Sequence, residues 1–254
     1  MIHLSSLFKS SKTLLVALLL GSFCIFVSCG SKAEYHVGDI VLDNGTVLSQ
    51  EAFASYEGSA TPMAIIFSTT GGHYENSGRV LGVGLKVASG RDFATADTTG
   101  YTTNITANQT VVAAQEFKIE NGAYNNEGFF GLIDGRKSWQ NVARYDEKAK
   151  TSFENYPAYD FAVNYGKNRG FKKFEKGWYL PTAAEAFELA ENIETVNAAA
   201  KLCEVPAYLG MVWTSSQNYG NNEFEYVVSF LDAGVSLSFK DMDFNVCSIY
   251  CFAE

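Results

Sequence analysis

Hydrophobic residues alternate with polar ones, or form short apolar runs, in the first third of the chain. Residues 35–42 alternate and end at the Asp-Asn-Gly turn of residues 43–45, which predicts a β-hairpin. Residues 63–68 are apolar almost throughout, and residues 80–87 are apolar with two glycines. We expect these two runs to pair as strands across the loop of residues 69–79.

The C-terminal part of the chain is also patterned as strands. Residues 226–230 and 235–239 flank an Asp-Ala-Gly turn and predict a second hairpin. Its alternation places three apolar side chains on one face, which we expect to be buried: Val235, Leu237 and Phe239. Residues 246–252 predict the last strand.

Helices are predicted between these strand regions. Asn155 is expected to cap the first helix, with Pro157 in its first turn and with Gly166 and Gly170 at its end. A later helical run, residues 193–203, has an apolar face on which Cys203 would serve as a small hydrophobic residue.

A helix start is especially clear where Thr182 is followed three residues later by Glu185. This spacing is a capping box, in which the hydroxyl and the carboxylate satisfy backbone donors of a helix covering residues 183–190. Pro181 immediately before it ends any preceding strand. The carboxylate of Glu185 is therefore predicted to be structural, and not a general acid or base.

Two tryptophan segments carry a family resemblance. The pattern Trp-x-Leu-Pro-Thr-x-x-Glu, followed later by Trp-Thr-Ser-Ser, involves Trp178, Leu180, Pro181, Thr182, Glu185, Trp213, Ser215 and Ser216. It resembles bacterial C-type-lectin-like domains of the formylglycine-generating-enzyme subtype. These include surface lipoproteins of spirochaetes and variable proteins of diversity-generating retroelements.

The resemblance is strongest from residue 155 to residue 254. It implies an α+β, C-type-lectin-like fold with twisted antiparallel sheets, two main helices and long loops. In that family the domain closes by pairing its two terminal strands. Trp178 and Trp213 are expected in or near the core, and not as platforms for ligand stacking.

The N-terminus has the features of a lipoprotein signal. Lys9 and Lys12 precede an uncharged run, residues 14–27, that is short for a membrane span. The Val-Ser-Cys-Gly sequence ending at Gly30 resembles a lipobox with Cys29 as the lipidated residue, whereas Phe23 makes Cys24 a poor alternative. The other interpretation is a soluble secreted protein cleaved after Ser28.

These features define the expected organisation: a signal peptide at residues 1–28, a tether at residues 29–34 and a single domain at residues 35–254. The expected location is the bacterial cell envelope, with a lipid anchor in the outer membrane or at the cell surface. Loss of Lys9 and Lys12 with the signal peptide changes the formal net charge from −9 to −11. Such an acidic chain disfavours nucleic acid as a partner.

A redox or metal-dependent function has little support in the sequence. Cys247 and Cys251 stand where formylglycine-generating enzymes hold a cysteine pair, but four residues of strand separate them by about 13 Å. Glu-Pro-Asn and Trp-Asn-Asp calcium motifs are absent, and His73 is read as part of a polar turn. We expect no enzyme activity, no metal and no cofactor.

A ligand surface is predicted from two polar stretches, residues 217–222 and 240–245. In the variable proteins that the chain resembles, these stretches present exposed ligand residues; the strands' antiparallel geometry would bring both to one end of the hairpin. The predicted ligand residues are Asn218, Tyr219, Asn221, Asn222, Asp241, Asp243 and Asn245. The alternative is that both stretches are ordinary polar turns, with any site in the loop of residues 69–79.

The sequence therefore predicts a non-catalytic envelope lipoprotein, an adhesion module that binds a protein or glycan ligand. Two alternatives remain: a formylglycine-generating-type oxidase, and a structural lipoprotein without a specific ligand.

Overall fold

The computed structural model describes residues 34–69, 78–102, 134–217 and 221–254, and the backbone of two short strands between residues 119 and 124. The signal peptide, Cys29, His73, Asn218 and Tyr219 lie outside the described residues.

Twelve strands occur in the described part of the chain. They are β1 (Ile40–Leu42), β2 (Val47–Leu48), β3 (Pro62–Ser68), β4 (Val80–Gly84), β5 (Ala88–Arg91), β6 (Ile119–Glu120), β7 (Ala123–Tyr124), β8 (Met211–Gln217), β9 (Phe224–Ser229), β10 (Val235–Phe239), β11 (Phe244–Val246) and β12 (Ile249–Ala253). The helices are α1 (Gln50–Ala54), α2 (Thr99–Thr102), α3 (Ser138–Tyr145), α4 (Pro157–Val163), α5 (Tyr165–Arg169), α6 (Ala183–Glu191) and α7 (Ile193–Leu202).

The first sheet has the order β12-β4-β3-β1-β2 and is antiparallel throughout. Its β1–β2 hairpin pairs Ile40 with Leu48, and β3 pairs with β4 so that Ile65 lies opposite Val83. Both predicted pairings are confirmed. The strands form because their apolar side chains are buried on both faces of the sheet, which matches uninterrupted apolar runs.

The end of the chain differs from the prediction in two ways. Residues 246–252 belong to two strands in different sheets, β11 and β12, which are separated by Cys247 and Ser248. The Ser248 hydroxyl donates to the Ala162 carbonyl at 2.7 Å, and the Ser248 carbonyl accepts from the Gly84 amide. The terminal strands also do not pair, because β3 and β4 lie between β1 and β12.

The second sheet has the order β10-β9-β8-β11-β5, with β11 parallel to β8 and the other pairs antiparallel. The predicted β9–β10 hairpin is confirmed. The prediction that its apolar face is buried is wrong: Val235 is half-buried, while Leu237 and Phe239 are 42% and 43% exposed. The physical reason is that β10 is an edge strand in the described part of the chain, and α6 contacts β8 and β9.

The predicted helices are present, but some of them begin or end at residues other than those predicted. Tyr156, and not Asn155, precedes α4, and its side chain makes no capping bond. The first predicted helix is divided into α4 and α5, and α5 ends at Gly170, whose φ of 74° is readily adopted by glycine. Cys203 follows α7 as its C-cap and packs, partly buried, against the main core.

The main core contains side chains from both sheets together with the buried faces of α6 and α7. A second cluster packs α4 against β8, β9 and β11, and a third packs Tyr165 and Trp178 against β3 and β4. Residues 35–254 form one compact unit. None of the described helices is long and apolar enough to cross a membrane. The fold is α+β: the described residues form two five-stranded sheets and the two-stranded sheet β6-β7, together with seven α-helices, more than the two main helices and the third helical segment predicted.

Candidate functional site

The predicted capping box forms one half of a buried ionic centre at the start of α6. Thr182 Oγ1 accepts from the Glu185 amide, and Glu185 Oε2 accepts from the Thr182 amide at 2.9 Å. Arg79 Nη1 donates to Glu185 Oε1 at 2.7 Å, and the Tyr179 hydroxyl donates to the same oxygen at 3.0 Å. Glu185 is only 2% exposed. These contacts form the predicted capping box and a buried ion pair with Arg79.

The Trp-Thr-Ser-Ser segment fixes the same helix start from the second sheet. The Ser215 amide donates to the Pro181 carbonyl at 2.7 Å, and Ser216 Oγ accepts from the Ala183 amide at 2.9 Å. The two motifs identified in the sequence are therefore in direct contact. Leu180 is buried, as are Trp178 and Trp213, so both tryptophans belong to the core as predicted.

Two exposed turns meet beside the β9–β10 hairpin. Residues 221–223 precede β9 and residues 241–243 follow β10; together they are called the rim. The Lys240 amide donates to the Glu223 carbonyl at 2.9 Å, which joins the two turns. Asn222 Nδ2 donates to the Thr102 carbonyl of α2 at 3.3 Å. The prediction that these turns emerge at the same end of the hairpin is confirmed.

The structure gathers part of the predicted ligand set at the rim. Asn221, Asn222, Asp241 and Asp243 are exposed there. Asn245 is two residues beyond Asp243. It lies on β11 opposite Val212, and its side-chain amide donates to the Leu209 carbonyl at 2.9 Å.

Acidic groups dominate the electrostatics of the rim. Burial, together with the neighbouring Asp243 and Asp241, raises the pKa of the Asp92 carboxyl. Partial burial and the carboxylates of Asp241 and Glu223 raise the pKa of the Tyr101 hydroxyl. No group of three histidine, cysteine, aspartate or glutamate side chains in the described ranges has an arrangement that could hold a metal ion.

Beneath the rim is a buried pair of ionisable side chains that the sequence did not reveal. Lys240 is fully buried; its Nζ donates to the Gly100 carbonyl at 3.0 Å and lies 5.8 Å from the centre of the Phe93 ring. Glu225 on β9 is also fully buried, and neither of its carboxylate oxygens has a hydrogen-bond partner among the described residues. Burial lowers the pKa of Lys240 to about 8 and raises that of Glu225 well above its usual value. The sequence did contain one indication that Glu225 is buried. It lies two residues before the inward-facing Val227, and residues two apart in a strand lie on the same face.

An exposed apolar surface adjoins the rim, and sequence reasoning had assigned most of it to the core. Leu237, Phe239 and Met242 are 42%, 43% and 49% exposed. The rings of Phe239 and Phe224 lie 4.3 Å apart, centre to centre, across the hairpin. Exposed apolar patches bordered by polar groups are typical of interaction sites.

The cysteines have no features of a thiolate centre. Cys203, Cys247 and Cys251 are free in the structure. Burial raises the pKa of Cys247 to about 12, and burial also raises that of Cys251, so both thiols stay protonated at neutral pH. Cys247 lies in the main core, and Cys251 packs against it.

Replacing Glu225 with glutamine is expected to raise the stability of the protein progressively as the pH increases above about 4.5. The unfolded carboxyl releases its proton near pH 4.3, while the raised pKa in the folded state retains it, so the wild type loses stability as the pH rises through this window. Lys240 is protonated below pH 7 in both the folded and the unfolded state, so it does not make the free energy of unfolding depend on pH in that range. Urea unfolding between pH 4 and pH 7 measures the difference.

Glu223→Gln removes an exposed carboxylate two residues away and is the matched control. If the free energies of unfolding of the wild type and Glu225→Gln change in parallel with pH, Glu225 does not retain its proton in the folded state.

Comparison with known proteins gives one solved structure with a similar fold. No protein-family model matches the chain, and no curated protein matches it. A crystal structure of a fimbrial protein from Bacteroides ovatus ATCC 8483 superposes with a TM-score of 0.54 at 17% sequence identity. The match covers 85% of this chain and 48% of that chain, so this chain spans about half the length of the fimbrial protein. This likeness shows a shared fold.

Proposed function

We propose that this chain is a non-catalytic lipoprotein of the bacterial cell envelope that binds a protein or glycan ligand through the rim and the adjoining edge of β10. The observation that carries the proposal is the continuity of two exposed surfaces. Polar side chains of residues 221–223, Asp241 and Asp243 adjoin the exposed apolar side chains of Leu237, Phe239 and Met242. This combination gives both contact area and directional hydrogen bonds.

The rim is held in place before any ligand arrives. The Lys240 carbonyl accepts from the amides of Phe93 and Ala94 at 2.8 and 3.1 Å, and the Lys240 amide joins residue 223. The buried side chain of Lys240 adds a bond to α2. Fixing the backbone in this way lowers the entropic cost of binding, which favours recognition by this end of the hairpin.

Two observations support a location at the cell surface. The Val-Ser-Cys-Gly sequence at Cys29 has the pattern of a lipidation site, and the structural neighbour from Bacteroides ovatus is a fimbrial protein. A lipid anchor at Cys29, in the outer membrane or at the cell surface, would place the rim where it can meet an external ligand.

The C-type-lectin-like assignment is part of the same proposal. It is supported by the paired motifs around α6, in which Ser215 and Ser216 bind the backbone at Pro181 and Ala183. In the resembling variable proteins, the stretches that correspond to the rim present the diversified residues. The order of the strands in the first sheet departs from the family's terminal pairing.

Combined replacement of Asn222 and Asp241 by alanine is expected to abolish ligand binding and leave the fold intact. Both side chains are exposed, so the change in stability should stay within about 0.5 kcal/mol per site. The measurement is binding of the mature chain to an array of glycans and immobilised extracellular proteins, with thermal unfolding in parallel.

Glu191→Ala/Lys201→Ala, two exposed substitutions on α6 and α7, is the matched control and should bind as the wild type does. The rim would be excluded as the ligand site if the rim variant bound ligand as well as the wild type does. It would also be excluded if the control variant lost as much binding as the rim variant.

A further inference from the structure

A groove lies between the edge of the second sheet and the helices α4 and α5, and it adjoins the rim at Arg91, which pairs with Phe244. Its volume is about 480 Å³. The strand side supplies Lys86 and Arg91, and the helix side supplies Asp160, Phe161, Asn168 and Arg169. This site was not identified from the sequence, because residues 86–91 and 157–169 meet only in the folded chain.

The floor of the groove is fixed by Tyr165. Its hydroxyl accepts from the Lys86 amide at 3.0 Å, and its ring packs edge-on against Phe161 with 5.9 Å between the ring centres. Gly84 makes this position possible, since a Cβ there would lie 2.5 Å from Tyr165 Cζ. The groove is therefore formed by the fold in advance of any ligand.

The charge of the groove is opposite to that of the protein. Lys86, Arg91 and Arg169 are exposed, and within the described ranges no carboxylate forms an ion pair with any of the three. The chain carries 28 acidic against 19 basic residues, so three cations without an ion pair make this groove locally positive. The Arg169 guanidinium also lies 5.8 Å from the centre of the Phe171 ring. Guanidinium groups favour carboxylate through paired hydrogen bonds.

The other residues that line the groove indicate which class of anion it binds. Asp160 accepts from Asn164 Nδ2 at 2.8 Å and retains capacity to accept from a ligand, and Asn168 can both donate and accept. The Asp160 carboxylate can accept hydrogen bonds from sugar hydroxyls, which an acidic peptide lacks. The half-buried ring of Phe161 offers an apolar surface to a sugar ring.

We infer that this groove binds an acidic saccharide, with Arg91 and Arg169 holding a uronic-acid carboxylate while Asp160 and Asn168 bind its hydroxyls. This binding uses none of the side chains of the rim.

The test is titration calorimetry of the mature chain at low salt with three probes: trigalacturonate, the neutral trisaccharide maltotriose, and the peptide triglutamate. Trigalacturonate is expected to bind at least about tenfold more tightly than either of the others. Arg91→Gln and Arg169→Gln should each weaken that binding about tenfold, because each removes a charged hydrogen-bond donor. Lys167→Gln removes a charge from the same helix, outside the groove lining, and should stay within about twofold of the wild type.

Thermal midpoints of all variants are compared first, and loss of binding counts only for variants that keep the wild-type midpoint. The Asn222→Ala/Asp241→Ala variant should bind trigalacturonate normally, which separates this site from the rim. Absence of trigalacturonate binding, unchanged binding in both arginine variants, or triglutamate binding as tight as that of trigalacturonate would overturn the inference.

Discussion

Replacing Arg79 with methionine is expected to lower the free energy of unfolding by about 3–5 kcal/mol, because it leaves the carboxylate of Glu185 buried without its counterion. The two side chains are 8% and 2% exposed and their charged atoms lie 2.7 Å apart. The remaining donors to Glu185, from Tyr179, Thr182 and the Gly135 amide, cannot neutralise its charge. Urea unfolding at neutral pH gives the value.

The control for this prediction is Arg136→Met. Arg136 pairs with Asp134, and the two side chains are 37% and 32% exposed, so its loss should cost no more than about 1 kcal/mol. Adding Glu185→Gln to Arg79→Met should recover part of the lost stability, because it removes the uncompensated charge. Similar losses for Arg79→Met and Arg136→Met would contradict the assignment of the buried pair.

Replacing Trp213 with alanine is expected to destabilise the protein by about 3–5 kcal/mol through the cavity that it leaves. The side chain is fully buried, and its ring centre lies 5.0 Å from that of Phe244 and 5.8 Å from that of Phe93. Its Nε1 donates to the Arg91 carbonyl at 2.6 Å, so Trp213→Phe should also destabilise, by about 1–3 kcal/mol, by leaving that acceptor unpaired.

Trp213 belongs to the motif on which the family resemblance rests, and the same variants separate its two possible roles. A structural tryptophan loses stability when it is replaced. Reduced ligand binding at unchanged stability in Trp213→Ala would instead make it a ligand contact.

The parts of the fold that the sequence predicted are those determined by local chemistry. The capping box depends on two residues three positions apart, and each hairpin depends on a turn between neighbouring apolar runs. These features require no knowledge of the rest of the chain.

The features that were missed depend on long-range packing. β11 and β12 separate because Ser248 bonds to Ala162 on a distant helix, and β10 is exposed because the helices cover other strands. The ion pair of Glu185 joins it to Arg79, 106 residues away, and the groove joins a strand edge to two helices. Alternation within β10 showed which side chains share a face, but not whether another layer covers that face.

Binding at the rim should protect its backbone amides from exchange with solvent. The measurement is hydrogen–deuterium exchange of the mature chain, with and without the glycan or protein that it retains on the array. We expect slower exchange confined to residues 221–223 and 237–243 when ligand is present. Protection elsewhere, for example only in residues 86–91 and 160–169 around the groove, with no change at the rim, would contradict it.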